Sequence, residues 1–407
     1  MKSIAIAVLV FGGAFPLISK SNLYVQSAKA KLLSQPKLNA EGISLKLGEV
    51  LSPINEQGLF VQVRVSDRSG WVSKLFVSPL PPGNQIQLGI SSSSTEAVVA
   101  RQRASDFTKT AAARGLSETQ KLRVRGEGDL YDFDSLRWLE SLPRKNSHNL
   151  NNENGIQTND RFEEKSDPMS NLSLLSETQA EVKVGRSLAA RILKRFPLNR
   201  NKELTVYLNQ IGSRIASVSS RPDLDFVIGI LESDEINAYA CPGGFIFITT
   251  GTLKKIQSES ELAGIIAHEI GHIVLFHNGE FQQSNLFVDI IAGILAPTGG
   301  EVINASTSLL LDQLEKEIFE SGRDKQKEFD ADEAGVGLAA QAGYPASGLG
   351  NFLYTMSKTA DQEAFKKTHP DTKVRIAKLV VVEVTANSSN DSIAPDNWQN
   401  FKSKLNP

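Results

Sequence analysis

Cysteine is nearly absent from this chain, with Cys241 as the single one among 407 residues. An internal disulfide is therefore excluded, because it needs two thiols, and such sparing use of cysteine is typical of cytosolic proteins. An excess of basic residues is also absent, since 44 Lys and Arg stand against 46 Asp and Glu. The net charge of −2 argues against binding to nucleic acid, and no nucleic acid partner is expected.

Long hydrophobic runs are scarce as well. The first extends from Ile4 to about Ile18, after one basic residue and before small polar ones. It is shorter than the roughly 20 residues of a membrane span, and the pattern is that of a signal peptide. We therefore expect residues 1–21 to be a signal peptide and the protein to be exported, either periplasmic or extracellular. A buried N-terminal strand and an uncleaved anchor are the alternatives.

A second apolar run, LFVDIIAGILAP at 286–297, is short and contains Asp289. Both features disfavour a membrane span. A core helix, a lid and a helix resting on a membrane surface remain open, so a peripheral association of the exported protein with a membrane is a further option. The whole segment 280–324 is predicted either to cover the active-site cleft as a lid or to pack in the core.

Residues 22–80 are predicted to form a small β domain. The stretch FVQVRV (60–65) alternates valines with polar residues, which is the period of a half-buried strand. With Gly70-Trp71-Val72 near its end, the order of short strands resembles a bacterial SH3-like domain. The resemblance implies a small all-β barrel that binds cell-wall peptides or proteins. A spacer or packing module is the alternative.

Residues 81–175 carry no assignable chemistry. Helices are predicted within 95–142, whereas the Asn-rich stretch 145–171 has too few large apolar residues to bury a core and is predicted to be a flexible linker. His148 lies in that stretch and is expected to be solvated rather than a ligand.

Residues 176–390 are predicted to form an ordered domain, and residues 391–407 a C-terminal tail. The pattern is that of an α+β domain, mainly helical with a small sheet. A capping box formed by Ser176 and Gln179 predicts where its first helix begins. The further predicted elements are a helix over 204–218, buried strands at 225–231 and 245–249, and a helix capped by Ser258 and Glu261.

Three of the five histidines lie in HEIGHIVLFHN, at 268–278. Because each helical residue turns by about 100°, His268 and His272 share one face a turn apart, whereas His277 points away. Two such imidazoles can bind one Zn²⁺, and Glu269 can act on the attacking water. The motif can also arise by chance in an amphipathic helix, but its apolar flanks would then bury two histidines without partners.

A catalytic zinc needs a third protein ligand. Leu275 and Asn278 stand where a metzincin would have Gly and His, so that class is excluded. In KEFDADEAG (327–335), Glu328 and Asp332 again lie four residues apart on a predicted helix. One carboxylate could bind zinc while the other accepts a hydrogen bond from a ligating imidazole. The rival carboxylates are Glu315, Glu317, Glu320 and Glu333.

Four motifs along 176–380 resemble the zinc metallopeptidase family that includes HtpX and the CAAX prenyl protease, most closely its soluble, exported bacterial members. They are INAYACPGGFIFITTGTL (236–253), ELAGIIAHEIGHIVLFH (261–277), EFDADEAGVGLAAQAGYPASGL (328–349) and THPDTKVRIAKL (368–379). The resemblance implies that His268, His272 and Glu328 bind zinc, that Glu269 is the catalytic base, and that Asp332 lies in the second coordination sphere. It also implies a gluzincin-type architecture, in which a pair of active-site helices lies beside a small sheet.

The same resemblance assigns further roles. Asn237 and Ala238 match an edge strand that pairs with the substrate backbone, which would make side-chain specificity broad. His369 and Arg375 match a late His-Pro…Arg element, with Arg375 assigned to substrate binding. His369 either stabilises the oxyanion as a catalytic residue or controls access to zinc, and a packing or capping histidine is the alternative. Cys241 is expected to be a small buried side chain, with a thiol that occludes the zinc as the other option.

The sequence therefore predicts an exported zinc metalloendopeptidase, with one Zn²⁺ per chain, that hydrolyses peptide bonds of misfolded or envelope proteins. One alternative is a zinc-dependent, chaperone-like binding protein of the cell envelope with little turnover. Another is a wall-associated protein whose main function resides in the SH3-like domain. A peptidoglycan amidase is disfavoured because the resemblance includes a peptide-pairing strand.

Overall fold

A computed structural model describes the chain in several stretches. They are residues 22–38, 40–79, 131–144, 168–221, 224–276, 311–312, 314–316, 319, 325–359, 369–386 and 397–405. The expected signal peptide at 1–21, His148, His277 and the apolar run 286–297 lie outside the described residues.

The N-terminal unit is a sheet of seven short strands. Their bounds are β1 Leu23–Val25, β2 Lys31–Leu33, β3 Gly42–Ser44, β4 Val50–Gln57, β5 Phe60–Val65, β6 Arg68–Ser73 and β7 Val77–Ser78. The strands lie in the order β3-β2-β6-β5-β4-β1-β7, and all their pairings are antiparallel. In β5 the side chains of Val61 and Val63 are buried, while Arg64 is exposed. The all-β character predicted for 22–80 is therefore confirmed.

The first two described helices after the N-terminal unit pack against each other. Helix α1 (Phe133–Glu140) packs on the long helix α2 (Pro168–Arg195), and Arg186 Nε donates to Glu140 Oε1 at 2.8 Å. Helix α2 begins at Pro168, so the helix start predicted at Ser176 is wrong. Proline suits the first position of a helix, because its missing N–H has no partner there in any case. The Ser–Gln spacing further on also fits the interior of a helix, and local spacing cannot separate the two cases.

A small buried sheet forms the centre of the second domain. It consists of β8 (Val227–Leu231), β9 (Ala238–Cys241) and β10 (Phe245–Thr249) in the order β8-β10-β9, with β8 parallel and β9 antiparallel to β10. Every residue of β8 and β10 is buried, as the two apolar runs predict. Strand β9 lies at one edge of this sheet.

Within the described residues, six helices surround or follow this sheet, in addition to a short one near the C-terminus. They are α3 (Lys202–Ala216), α4 (Thr250–Lys255), α5 (Glu259–Phe276), α6 (Lys325–Gln341), α7 (Gly348–Met356) and α8 (Thr372–Ala386). Helix α5 is central and packs against α3, α6 and α7. The combination of a helical domain and two sheets confirms the predicted α+β class. In the part of the chain that the structure describes, no helix combines the length and the apolarity needed to cross a membrane.

The described part of the segment 280–324 is anchored in the core. Leu311 and Leu314 are buried in the cluster that also contains side chains of α2. Arg191 on α2 donates to Asp312 at 2.7 Å, and the ring of Phe319 lies 5.0 Å from that of Tyr239 on β9. For these residues the core alternative holds, and the lid remains a prediction for residues outside the described part.

The β unit packs against the helical domain. The turn Lys74–Phe76 contacts α5, and a Cβ placed on Gly337 of α6 would lie 3.0 Å from Leu38 and 3.4 Å from Leu75. Buried side chains of both units belong to one continuous hydrophobic cluster. The helix that carries Glu328 and Asp332 is thus covered on another side by the N-terminal unit.

The C-terminal segment is also docked. The sequence predicts a tail over 391–407, but residues 397–405 pack on the start of α5 through α9 (Trp398–Lys402). Trp398 is completely buried, and its indole Nε1 donates to the carbonyl of Ile256 at 3.0 Å. Tyr207 of α3 stacks on this segment, with its ring 4.0 Å from that of Phe401. The largely polar segment 397–405 is held in place because the side chain of Trp398 is buried.

Candidate metal centre

Helix α5 presents the HEIGH motif inside the protein. Its N-terminus is capped locally, since the backbone N–H of Glu261 donates to Ser258 Oγ at 3.3 Å and the Glu261 carboxylate accepts from Gln257 N at 2.8 Å. This agrees with the predicted cap at Ser258 and Glu261. The apolar residues of the helix are buried all around, and they include Leu262, Ile266, Ile270 and Ile273. Because the helix is enclosed by packing, the polar side chains His268, Glu269 and His272 are buried with it.

Glycine residues allow α5 and α6 to approach each other closely. A Cβ on Gly335 of α6 would lie 2.9 Å from the backbone of His268, and one on Gly271 of α5 would lie 3.2 Å from the carbonyl of Ala331. A side chain larger than hydrogen therefore has no room at Gly335. This contact brings the histidines of α5 level with the acidic residues of α6.

Three ligand atoms converge where the two helices meet. His268 Nε2 lies 3.1 Å from His272 Nε2, and Glu328 lies 3.2 Å from His272 and 3.8 Å from His268. These atoms all lie within 4.8 Å of one another, and within the described residues this is the only such group of three. In a tetrahedral site with bonds of about 2.0–2.1 Å, ligand atoms are separated by roughly 3.3 Å. The donor set and its spacing therefore fit a single metal ion.

Asp332 and Arg375 support the first of these histidines. Asp332 Oδ1 lies 3.0 Å from His268 Nδ1, so that the Nε2 atom faces Glu328 and His272. Arg375 binds Asp332 through Nε at 2.8 Å and Nη2 at 2.6 Å. Burial raises the pKa of Asp332, but Arg375 and His268 outweigh burial and lower this pKa to about 2. Asp332 thus stays an anion that can hold the imidazole in one orientation.

The Glu328 carboxylate is fully buried yet ionised at neutral pH. Burial raises its pKa, but His369 and His272 together hold the pKa well below its usual value. His369 Nδ1 lies 3.0 Å from Glu328 Oε2, and Arg375 Nη1 lies 3.6 Å from the same atom. An ionised carboxylate next to two imidazoles is the form that binds a divalent cation.

His369 also contacts the edge strand. Its Nε2 lies 3.4 Å from Asn237 Oδ1, while the same amide oxygen accepts from Ala238 N at 2.9 Å. His369, Asn237 and Ala238 therefore lie together beside the metal ligands, as the family motifs imply. The guanidinium of Arg375 is held by Asp332 and is 2% exposed, and its assigned substrate-binding role remains a prediction.

Glu269 borders a pocket that opens at this place. The pocket is lined by residues of β9, α4, α5, α7 and α8, among them Ala238, Glu269 and Phe352, and by His369, which precedes α8. Glu269 lines this pocket together with His268, and it does not belong to the group of three. A general base needs this position next to the reacting water.

The rival carboxylates that the structure describes, Glu315 and Glu333, do not converge on the histidines. Glu315 lies 3.3 Å from Arg191 on α2, and Glu333 is half-buried on α6 outside the group of three ligands. Glu317 and Glu320 lie outside the described residues. Cys241 is buried at the end of β9, as expected, and it does not belong to the ligand group either.

Two threonines, Thr249 and Thr252, position the edge strand and were not singled out by sequence reasoning. The Thr252 hydroxyl donates to the carbonyl of Asn237 at 2.8 Å, and Thr249 Oγ1 lies 3.0 Å from the same carbonyl oxygen and 2.6 Å from that of Glu235. Thr249 Oγ1 also accepts from Asn237 N at 3.2 Å. No spacing rule identifies such contacts, although both residues lie inside the motif 236–253. Gly271 and Gly335 are a second omission, because close helix approach is visible only in three dimensions.

Residues 202–383 match the profile of Peptidase family M48. Together with two buried histidines on one helix and a buried glutamate on the next, this match supports an M48 metallopeptidase as the class to which this part of the chain corresponds. It does not single out HtpX or the CAAX prenyl protease within that class.

Individual relatives are similar over the same region. The chain is 29% identical over 184 residues to mitochondrial metalloendopeptidase OMA1 of Schizosaccharomyces pombe, which covers 43% of this chain and 52% of that protein. It is 27% identical over 201 residues to the beta-barrel assembly-enhancing protease of Escherichia coli O157:H7, covering 47% of this chain and 40% of the relative. The chain thus spans about half or less of the length of these relatives, whose names support a protease role.

Proposed function

We propose that this protein is an exported zinc metalloendopeptidase of the gluzincin type that cleaves misfolded or envelope proteins. The observation that carries the proposal is the convergence of His268, His272 and Glu328, with Glu269 beside them and a pocket in front. Support also comes from relatives whose names include metalloendopeptidase and protease.

The donor set selects the kind of metal. Two imidazoles and one carboxylate are the ligands of many catalytic zinc sites, which keep a fourth position open. His268, His272 and Glu328 would hold the ion, with Asp332 behind His268. When bound, zinc would polarise the scissile carbonyl and make water more acidic.

Glu269 serves as the general base in this proposal. Its carboxylate accepts the proton of the attacking water and then transfers it to the nitrogen of the leaving amine. His369 lies within reach of the same space and either stabilises the developing oxyanion or controls access to the metal ligands. Its contacts with Glu328 and Asn237 are consistent with both roles.

The substrate would bind as an extra strand. Strand β9 lies at the edge of its sheet, and Thr249 and Thr252 hold the carbonyl of Asn237 in place. Main-chain hydrogen bonding of this kind requires an extended peptide and tolerates many side chains. Unfolded or misfolded proteins offer such extended segments, which is why we propose them as substrates.

The N-terminal unit is proposed to be SH3-like. Its antiparallel strands agree with a small barrel, and its position next to α6 agrees with a barrel that packs against the helical domain. Binding of a cell-wall peptide or protein by this unit, and a periplasmic or extracellular location with peripheral membrane contact, belong to the same proposal. They rest on the sequence patterns described above.

The test is cleavage of unfolded casein by the purified full chain, with and without a metal chelator. We expect cleavage that chelation abolishes and zinc restores, and loss of cleavage in Glu269→Gln with zinc still bound. Zinc binding by the wild-type chain without any turnover would instead favour the chaperone-like alternative. Unchanged turnover of Glu269→Gln would disprove the role of this residue as base.

A further inference from the structure

One wall of the pocket beside Glu269 is apolar and comes from a single short helix. Leu349, Phe352 and Leu353 of α7 line the pocket together with Ile265 of α5. All four side chains are at most 5% exposed, so their positions are determined by packing. Most of the polar members of the lining belong to the candidate metal site and to the edge strand.

Close backbone contact holds this wall against the active-site helix. A Cβ on Gly264 of α5 would lie 2.4 Å from Leu349 N, and a Cβ on Gly348 of α7 would lie 1.9 Å from the carbonyl of Ser260. Neither glycine has room for a side chain, so α7 is held directly against α5. The apolar wall is therefore held in place directly against the helix that carries Glu269.

Two of the charged groups in the lining are engaged in contacts outside the apolar part of the pocket. Arg375 is paired with Asp332 at 2.6 Å, and His369 lies 3.0 Å from Glu328. A charged side chain that enters the pocket would lose its hydration and meet hydrocarbon on one wall and engaged groups on the other. Such burial of a charge without a partner is strongly unfavourable.

We propose that this pocket, formed by Ile265, Leu349, Phe352 and Leu353, binds the substrate side chain next to the scissile bond and selects aliphatic residues. The proposal rests on the proposed peptidase function and adds a specificity that the edge strand alone does not supply. The space in and in front of the pocket is about 360 Å³ and includes open solvent at its mouth, so the enclosed part is smaller than a site for a whole small-molecule ligand. We therefore assign to it no more than one aliphatic side chain such as Val or Leu, entering from the open mouth.

A matched set of peptides tests the proposal. The peptides share one sequence and differ at a single position that carries Leu, Val, Phe, Asp or Lys, and mass spectrometry locates the cut. We expect the bond next to Leu or Val to be cleaved with a kcat/KM at least about 10-fold higher than the bond next to Asp or Lys, because one aliphatic group in an apolar pocket discriminates by about this factor. Equal rates for all five peptides would overturn the proposal, while casein cleavage would still support the peptidase.

A binding measurement separates recognition from turnover. Fluorescence anisotropy of the same labelled peptides with the metal-free full chain should rank Leu and Val above Asp and Lys. If no peptide and no casein is cleaved but this ranking holds, the peptidase function fails and the pocket survives as a binding site. If neither cleavage nor ranked binding is observed, both proposals fail.

Phe352→Ala should widen the pocket and move the preference towards Phe at that position. Tyr354→Ala is the matched control, since Tyr354 lies on the same helix and is 53% exposed. This variant should rank the five peptides in the same order as the wild type does. Thermal unfolding and zinc content show whether Phe352→Ala is folded, and Phe352→Leu replaces it if it is not. If a folded Phe352 variant ranks the peptides as the wild type does, the apolar wall does not determine the side-chain specificity.

Discussion

Arg375 and Asp332 form a two-point ion pair inside the protein, with N–O distances of 2.8 and 2.6 Å. Burial lowers the pKa of Arg375, but the pair with Asp332 outweighs burial and raises this pKa above its ordinary value. Asp332 in turn lies 3.0 Å from His268. A fixed positive charge on α8 is thereby connected through one carboxylate on α6 to His268, a candidate metal ligand on α5.

Removal of the charge from Asp332 should weaken metal binding without removing a ligand. Asp332→Asn keeps the shape of the side chain but loses the anion that orients His268, and such changes typically cost about 10- to 100-fold in metal affinity. Competition with a chromophoric zinc chelator measures the change. Asp330→Asn is the control, since Asp330 lies on the same helix and bonds to Gln326 instead. Equal losses in both variants would contradict the role of Asp332.

Replacement of Glu328 should abolish stoichiometric zinc binding. Glu328→Ala removes the third ligand atom, whereas Glu333→Ala changes a half-buried carboxylate on the same helix that lies outside the ligand group. Metal analysis after gel filtration should give about one zinc per chain for the wild type and Glu333→Ala, in keeping with the one ligand group, and little for Glu328→Ala. The reverse pattern would show that the ligand is misassigned.

Gly335→Ala should separate the two helices that hold the ligands. Its Cβ would lie 2.9 Å from backbone atoms of His268, and overpacking of this kind costs about 1–3 kcal/mol. We expect a lower melting temperature and weaker zinc binding, measured by calorimetry and chelator competition. Gly337→Ala two residues on meets only the side-chain ends of Leu38 at 3.0 Å and Leu75 at 3.4 Å and should leave zinc binding unchanged. Normal zinc affinity in Gly335→Ala would contradict this account.

A charge at the junction should loosen the N-terminal unit. Gly337→Glu places a carboxylate against Leu38 and Leu75, where it cannot be solvated without separating the units. We expect a lower melting temperature and faster limited proteolysis between residues 80 and 131. Deletion of residues 22–80 should destabilise the remainder by the same mechanism, because it exposes the covered face of α6. No change in either measurement would indicate that the units are independent.

Loss of Trp398 should destabilise the start of the active-site helix. Trp398→Ala removes a fully buried indole and its hydrogen bond to Ile256, and such truncations cost about 3–5 kcal/mol. Urea unfolding measures the loss. Gln399→Ala is the control, since Gln399 bonds to Gln257 from an exposed position and should cost little. A small effect of Trp398→Ala would mean that this segment is only loosely attached.

Local periodicity was enough to predict the parts of the site that lie within one element. His268 and His272 share a helix face because of the helical repeat alone, and Glu328 and Asp332 share another for the same reason. The two buried strands and the cap at Ser258 were predicted in the same way, from short patterns whose physical cause is also local. The start of α2 was not predicted correctly, because the spacing of Ser176 and Gln179 fits both a helix terminus and a helix interior.

By itself, the sequence determined which residue types occur at metal-binding spacing and on which helices they lie. Only the tertiary structure decided which carboxylate lies next to the histidines and that Asp332 contacts both Arg375 and His268. It also decided that α5 and α6 approach each other closely at Gly335. Likewise it decided that the N-terminal unit and the segment around Trp398 are docked. The reason is physical: these outcomes depend on packing between residues far apart in the chain, about which the local pattern of side chains carries no information.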